Sequence, residues 1–210
     1  GHAFIHDALT GGAAGCFTQR ERESYLPGKF YIKVDSTHRA LRDLAKYYKK
    51  KFPIPVVALT GSVGKTTTKD MVAAVLGEKY RVLKTEGNLN NEIGVPMTLL
   101  RLSGEHEIAV LELGMNHAGE IDYLSALVEP DVVLMTNIGD SHIEHFGSRE
   151  KILEAKSEIF HHVKSGAFVV INGDDPLLNT LPGKLPYAFT RVGAGEGLDY
   201  RAERLVSDGK

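Results

Sequence analysis

From residue 55 onward, short apolar runs rich in β-branched residues alternate with stretches whose apolar residues recur at helical spacing. The runs Val56 to Thr60, Arg81 to Thr85, Glu107 to Leu113, Asp131 to Asn137 and Ala167 to Asn172 read as strands. Between them, Val72, Val75 and Leu76 share a helical face; so do Ile121, Leu124, Ser125 and Val128, and so do Ile152, Ala155, Ile159, Phe160 and Val163. This alternation predicts βαβ units, hence an α/β fold with a mostly parallel sheet and helices on both faces. Val132-Val133-Leu134-Met135 lacks polar alternation, the pattern of a strand buried on both sides.

Before residue 55 the pattern changes. Asp35 or Ser36 can cap a helix carrying Leu41, Leu44, Ala45 and Tyr48, with the basic run Lys49 to Lys51 set against its last carbonyls. Phe52-Pro53-Ile54-Pro55 stops that helix and reads as a linker. Residues 1–34 read as the tail of a small α/β unit, with a helix near Phe4 to Gly12 and a strand near Ala13 to Thr18, its beginning expected to be missing. At the other end, Gly193 to Gly197 is glycine-rich, and Tyr200 to Lys210 shows no evident closing element.

Composition narrows the class. With 25 Lys plus Arg against 27 Asp plus Glu, the chain has no global positive field for a nucleic-acid backbone, so any anionic ligand must meet a local site. A single cysteine, Cys16, excludes an intrachain disulfide framework and fits a reducing, cytoplasmic setting. The longest apolar runs are too short to span a bilayer, and no signal peptide opens the chain, so no membrane insertion is expected.

The chemistry concentrates at strand ends. Thr60-Gly61-Ser62-Val63-Gly64-Lys65-Thr66-Thr67-Thr68 follows a buried strand and opens a helix, the context of a phosphate-binding loop. Its glycines let backbone N–H groups turn inward, Lys65 can reach β/γ oxygens and Thr66 can offer a hydroxyl to Mg²⁺. Leu59 stands where the longer form of the motif has its first glycine, so the loop is a short G-x-x-G-K-T variant. A glycine-rich turn with a surface lysine is the plainer alternative. Glu112 ends an apolar strand, where it can hold Mg²⁺ or simply be a satisfied edge carboxylate. His142 follows the next strand end; zinc at His142 and His145 is disfavoured because no third ligand has suitable spacing. His161-His162 is expected to serve a helix dipole. Lys156 lies four residues after Ile152 and four before Phe160, on the core-facing stripe, where an ammonium must snorkel beside Glu154 or Glu158, pair, shift its pKa or be modified.

Four stretches together resemble the ATP-dependent Mur ligases of peptidoglycan synthesis: Leu59 to Met71, Gly87 to Pro96, Leu111 to Ile121 and Thr136 to Ser148. The resemblance implies that Gly61, Ser62, Val63, Gly64, Lys65, Thr66 and Thr67 hold ATP phosphates and that Asn90 and Asn91 lie in a substrate loop. It further implies that two Mg²⁺ ions are held by Thr66, Glu112, His142 and a carbamylated Lys156. Glu154 to Phe160 looks like the segment whose lysine carries that carbamate, with Lys65, Lys156 and His142 in catalytic roles. The implied reaction passes the γ-phosphoryl of ATP to the carboxylate of UDP-MurNAc-tripeptide, after which D-Ala-D-Ala attacks the acyl phosphate. Residues 1–52 would be part of a UDP-substrate domain with its linker, and residues 53–210 an incomplete central ATP-binding domain. The C-terminal ligase domain and the adenine-contacting His-Asn segment are expected to be absent, and the protein to be a monomer. Sibling ligases with another amine, including folate polyglutamate ligases, are rivals on the same fold. A GTPase lacks its guanine motif because Asn137-Ile-Gly-Asp140 has no lysine, and a non-catalytic nucleotide-binding module is the remaining alternative.

Overall fold

The computed structural model describes residues 2–21 and 24–203. Near the N-terminus α1 (Ile5–Thr10) leads into β1 (Gly15–Thr18), which pairs in parallel with β2 (Phe30–Lys33). The strand β2 escapes the sequence pattern because only Tyr31 on it is even partly covered. Ser36 accepts the Arg39 N–H at 3.3 Å and so starts α2 (Thr37–Lys49). Two expectations for α2 need correction. Leu44 is exposed, and Lys49 serves not its own helix but the end of another, as described below.

The rest of the chain builds a seven-stranded, all-parallel sheet in the order β4-β5-β3-β6-β7-β8-β9. Its strands are β3 (Val56–Thr60), β4 (Val82–Lys84), β5 (Ile108–Glu112), β6 (Val132–Met135), β7 (Phe168–Asn172), β8 (Phe189–Gly193) and β9 (Tyr200–Arg201). Helices α3 (Lys65–Gly77), α4 (Gly94–Leu99), α5 (Glu120–Val128), α6 (Ile143–Phe146) and α7 (Arg149–Ser157) connect them. The expected strands of the first five runs are all present, and α/β with a parallel sheet is the observed class. After the glycine-rich turn, β9 pairs with β8 and adds an edge strand that the sequence pattern did not show; the tail after Glu203 lies outside the described residues.

The two faces are unequal. On one, Ala58, Leu111, Val133, Met135 and Ile171 meet α4, α5 and α7 in the main core. On the other, α3 lies over β3, β4 and β5, burying Val57, Leu59 and Val110 against Ala73. The expected two-sided burial of β6 is uneven: Val133 and Met135 are buried in the main core, whereas Val132 and Leu134, packed against the cluster under α3, are only half-buried. Val75 also departs from expectation, at 74% exposed, since the inward stripe of α3 is Lys69, Val72, Ala73 and Leu76.

Strand order fixes where ligands go. After β3 the chain visits β4 and β5 on one side and then β6 on the other, so the ends of β5, β3 and β6 flank a topological switch point.

Candidate active site

Three adjacent strand ends supply the site. The loop after β3 turns into α3 through Gly64, whose φ of 80° is natural only for glycine and which offers no capping side chain. Consequently no group among the described residues accepts the N–H groups of Gly64, Lys65, Thr66 and Thr67, which is the anion-binding state of a helix N-terminus. Gly61 is required for a different reason: a Cβ there would lie 1.9 Å from Thr136 Oγ1.

The expected phosphate set therefore divides. Ser62 donates its N–H to the Asn137 carbonyl at 2.9 Å, and its Oγ accepts the Gly139 N–H at 2.9 Å. Val63 donates its N–H to Asn137 Oδ1 at 2.9 Å. These residues face the loop after β6, leaving Gly64 to Thr67 as the free donors. Asn137 was legible only as a residue failing a guanine motif; its role in propping the phosphate loop comes from the pairing of β3 with β6. The loop carrying it is itself pinned, with Ile138 N–H on buried Asp175 at 2.7 Å and Arg149 gripping Asp140 through two 2.6 Å bonds.

Lys65 folds back over the loop, its Nζ donating to the carbonyls of Gly61 at 2.9 Å and Ser62 at 3.3 Å. Burial lowers its pKa, and Glu112 opposes that shift. Glu112 is itself buried, yet fully bonded: Thr66 Oγ1 donates to one oxygen at 2.9 Å and Asn90 Nδ2 to the other at 2.8 Å, while its N–H reaches Thr85 Oγ1. Lys65, Thr66, Asn90 and Glu112 are thus brought together from three segments of the chain. Asn91 lines the same region, but its Oδ1 accepts the N–H groups of Ile93 and Gly94 at the start of α4.

His142 faces this site from the β6 loop. A cavity of about 210 Å³ is bounded by Lys65, Asn90, Gly114, Asn116, Glu120 and His142. His142 holds a left-handed backbone, φ 64°, uncommon outside glycine and typical of residues constrained for function. Its ring stacks 6.5 Å from that of His145, and no group of three His, Cys, Asp or Glu side chains able to hold a metal exists among the described residues. Thr66 and Glu112 are hard oxygen donors suited to Mg²⁺, which is usually held by one or two protein groups plus phosphate oxygens.

Lys156 sits on the core face of α7, 2% exposed, as its spacing required. Snorkelling beside Glu158 does not occur, because the Glu158 carboxylate caps α5 by accepting the Gly119 and Asp122 N–H groups at 2.7 and 3.1 Å. No hydrogen bond or ion pair joins the Lys156 amine among the described residues. Burial, and then the nearby Lys65 charge, push its pKa from 10.5 to about 8. His161 and His162 lie in the last turn of the 3-10 helix Glu158–His162, at a helix end as expected, and both also contact Asp122 Oδ1, at 2.8 and 3.2 Å.

The Mur ligase middle domain matches residues 59–208. The chain belongs to the Mur ligase family. UDP-N-acetylmuramoyl-tripeptide--D-alanyl-D-alanine ligase of Bacillus subtilis is 48% identical over 178 residues, 85% of this chain and 39% of that protein. Among solved Mur ligases, UDP-N-acetylmuramoylalanyl-D-glutamyl-2,6-diaminopimelate--D-alanyl-D-alanyl ligase from Acinetobacter baumannii superposes with a TM-score of 0.83 at 37% identity, over 94% of this chain and 43% of that one. MurF ligase from Thermotoga maritima in complex with ADP gives 0.82 at 37% identity, over 94% and 45%. The chain spans under half the length of these Mur ligases.

Proposed function

We propose that this chain is the nucleotide-binding part of an ATP-dependent amide ligase that adds D-Ala-D-Ala to UDP-MurNAc-tripeptide in the cytoplasm. On this reading residues 53–210 belong to the central domain, and residues 1–52 to the UDP-substrate domain and its linker. The observation that carries the reading is the uncapped N-terminus of α3, with Lys65 above it and Thr66, Glu112 and Asn90 joined beside it. The B. subtilis relative's name and the ADP in the T. maritima structure support it.

A carboxylate resists attack by an amine, so it must first become an acyl phosphate. The N–H groups of Gly64 to Thr67 and the Lys65 ammonium would hold the ATP phosphates and offset the charge that spreads over the transferring group. Thr66 and Glu112 would hold Mg²⁺, which when bound supplies further neutralisation of phosphoryl charge. His142 lines the same cavity and would help to hold a second ion. Asn90 orients Glu112, and Asn90 and Asn91 border the space for the acyl substrate.

Carbamylation of Lys156 is part of the proposal. A buried amine with a pKa near 8 is neutral often enough at pH 7 to 8 to attack CO₂, and loss of one proton leaves an anionic oxygen donor where a cation had no partner. The decisive experiment measures phosphate release by a full-length enzyme carrying this segment, with Mg-ATP and UDP-MurNAc-tripeptide. Release that depends on D-Ala-D-Ala is the expected result; dependence on another amine would reassign the substrate, and no release would leave only a binding module.

A further inference from the structure

Two helices that follow neighbouring strands, α3 after β3 and α5 after β5, begin alike. Each starts from a left-handed glycine, Gly64 with φ 80° and Gly119 with φ 85°, which offers no capping side chain. Their N-termini are used differently. That of α3 is open to an anion, whereas that of α5 is filled by the Glu158 carboxylate. One Glu158 oxygen accepts the Gly119 N–H at 2.7 Å and the other the Asp122 N–H at 3.1 Å. In α2 and α7 the ordinary solution appears, with Ser36 and Ser148 capping from the adjoining position. The cap of α5 instead comes from 39 residues away, from the residue two past Lys156.

This cap ties together two parts of the candidate site. Residues 114–120 contribute Gly114, Asn116 and Glu120 to the wall of the 210 Å³ cavity. At one end of that stretch the Gly114 N–H meets the Asn90 carbonyl at 2.8 Å, and a Cβ on Gly114 would lie 2.8 Å from the Asn90 side chain. Within it, the Asn116 N–H bonds Glu120 at 2.7 Å. At the other end Gly119 is held by Glu158. The wall is therefore fixed between the asparagine that orients Glu112 and the turn of α7 that carries Lys156. We propose that Glu158 is a positioning residue for the ligation reaction, holding this wall in register with Lys156 so that the acyl substrate meets both in one geometry. The inference rests on the ligase reading. A cap needed only for helix stability is supplied most simply from the helix's own first turn; one drawn from α7 couples the two elements.

The test measures D-Ala-D-Ala-dependent phosphate release by a full-length enzyme carrying this segment, with Mg-ATP and UDP-MurNAc-tripeptide varied in turn. E158Q keeps the shape of the side chain but turns one of its two acceptors into a donor, set against an N–H. Its KM for the peptide is expected to rise at least ~10-fold, within the range that a small misplacement produces. Its KM for ATP should stay within about twofold, because Glu158 bonds the start of α5 and not the open start of α3. The double variant H161A/H162A loosens the same helix contact at Asp122 Oδ1 and leaves the cap in place, so both KM values should stay near wild type. A lowered unfolding temperature of E158Q with both KM values unchanged would reduce Glu158 to a helix cap and overturn the inference. So would equal rises in both KM values, or a raised peptide KM in H161A/H162A. Should E158Q not fold, E158D retains the charge one methylene short: a peptide KM raised ~3-fold supports the inference, and an unchanged one overturns it. If the wild type shows no D-Ala-D-Ala-dependent release, the ligase reading itself fails, an outcome that needs no variant to recognise.

Discussion

Lys49 on α2 and Lys156 on α7 are both buried, and burial drives each pKa from 10.5 to about 8. Their surroundings differ. Lys49 reaches the Val128 carbonyl at the end of α5 and lies 3.6 Å from Glu129, whose backbone is left-handed at φ 45°. Lys46 joins it, donating to the Ala126 carbonyl at 2.8 Å, so the two lysines of α2 satisfy helix-end carbonyls that α5 cannot bond internally. The third buried lysine, Lys69, pairs with Asp70 at 3.5 Å. Lys156 has neither carbonyl nor carboxylate, and the charge that perturbs it is another cation. A buried ammonium that holds structure together is found among acceptors; one without them is costly to the fold and is best explained by chemistry.

The largest effect should separate the two lysines by activity. In a full-length enzyme carrying this segment, Lys156→Ala is expected to lower phosphate release by about a thousandfold, the scale of losing a charge-stabilising group. Formate should restore part of that rate by filling the vacated oxygen site, whereas Lys49→Met should stay near wild type. Full activity of Lys156→Ala without formate would end the distinction. Labelled bicarbonate should give a carbamate signal that Lys156→Met abolishes.

Stability should order them oppositely. In CO₂-free buffer at pH 7, Lys156→Met is expected to stabilise the fold by about 2 kcal/mol, because an unpaired buried charge is removed. Lys49→Met should destabilise by about 1–2 kcal/mol, since the Val128 carbonyl and Glu129 lose their partner. Urea denaturation of both variants decides the matter, and a loss of stability in Lys156→Met would show an unseen partner.

The pH dependence sharpens the comparison further. Both folded pKa values lie below that of an unfolded lysine, so between pH 8 and 10 the unfolded chain binds more protons and stability rises with pH. Below about pH 8 the penalty is fully present. Each substitution should remove about half of that rise, on the order of 3 kcal/mol. The smallest expected effect is Ser36→Ala, about 1 kcal/mol, because the cap of α2 is independent of the Lys49 anchor at its other end.

Much of this was legible in the chain itself. Val56 to Thr60 is recovered to the residue because five consecutive buried positions leave no ambiguity of period or length. The phosphate loop was readable because glycine, lysine and threonine act locally, on the backbone that carries them. Elements with few covered residues, such as β2 and β9, leave little hydrophobic signal and were not readable. Asn137, Glu158 and Asp122 were missed in their actual roles because each bonds a segment far away in sequence.

The sequence by itself determined the alternation of strand and helix, the position of the anion-binding turn and the burial of Lys156, since all three follow from local periodicity and backbone chemistry. Only the tertiary structure decided that Glu112, Thr66 and Asn90 meet, that the Val63 N–H meets Asn137, and that Lys49 has acceptors while Lys156 has none among the described residues. Those facts depend on which strands pair and which helices cross, and hydrogen-bond partners brought together by a fold leave no spacing in the chain to be read.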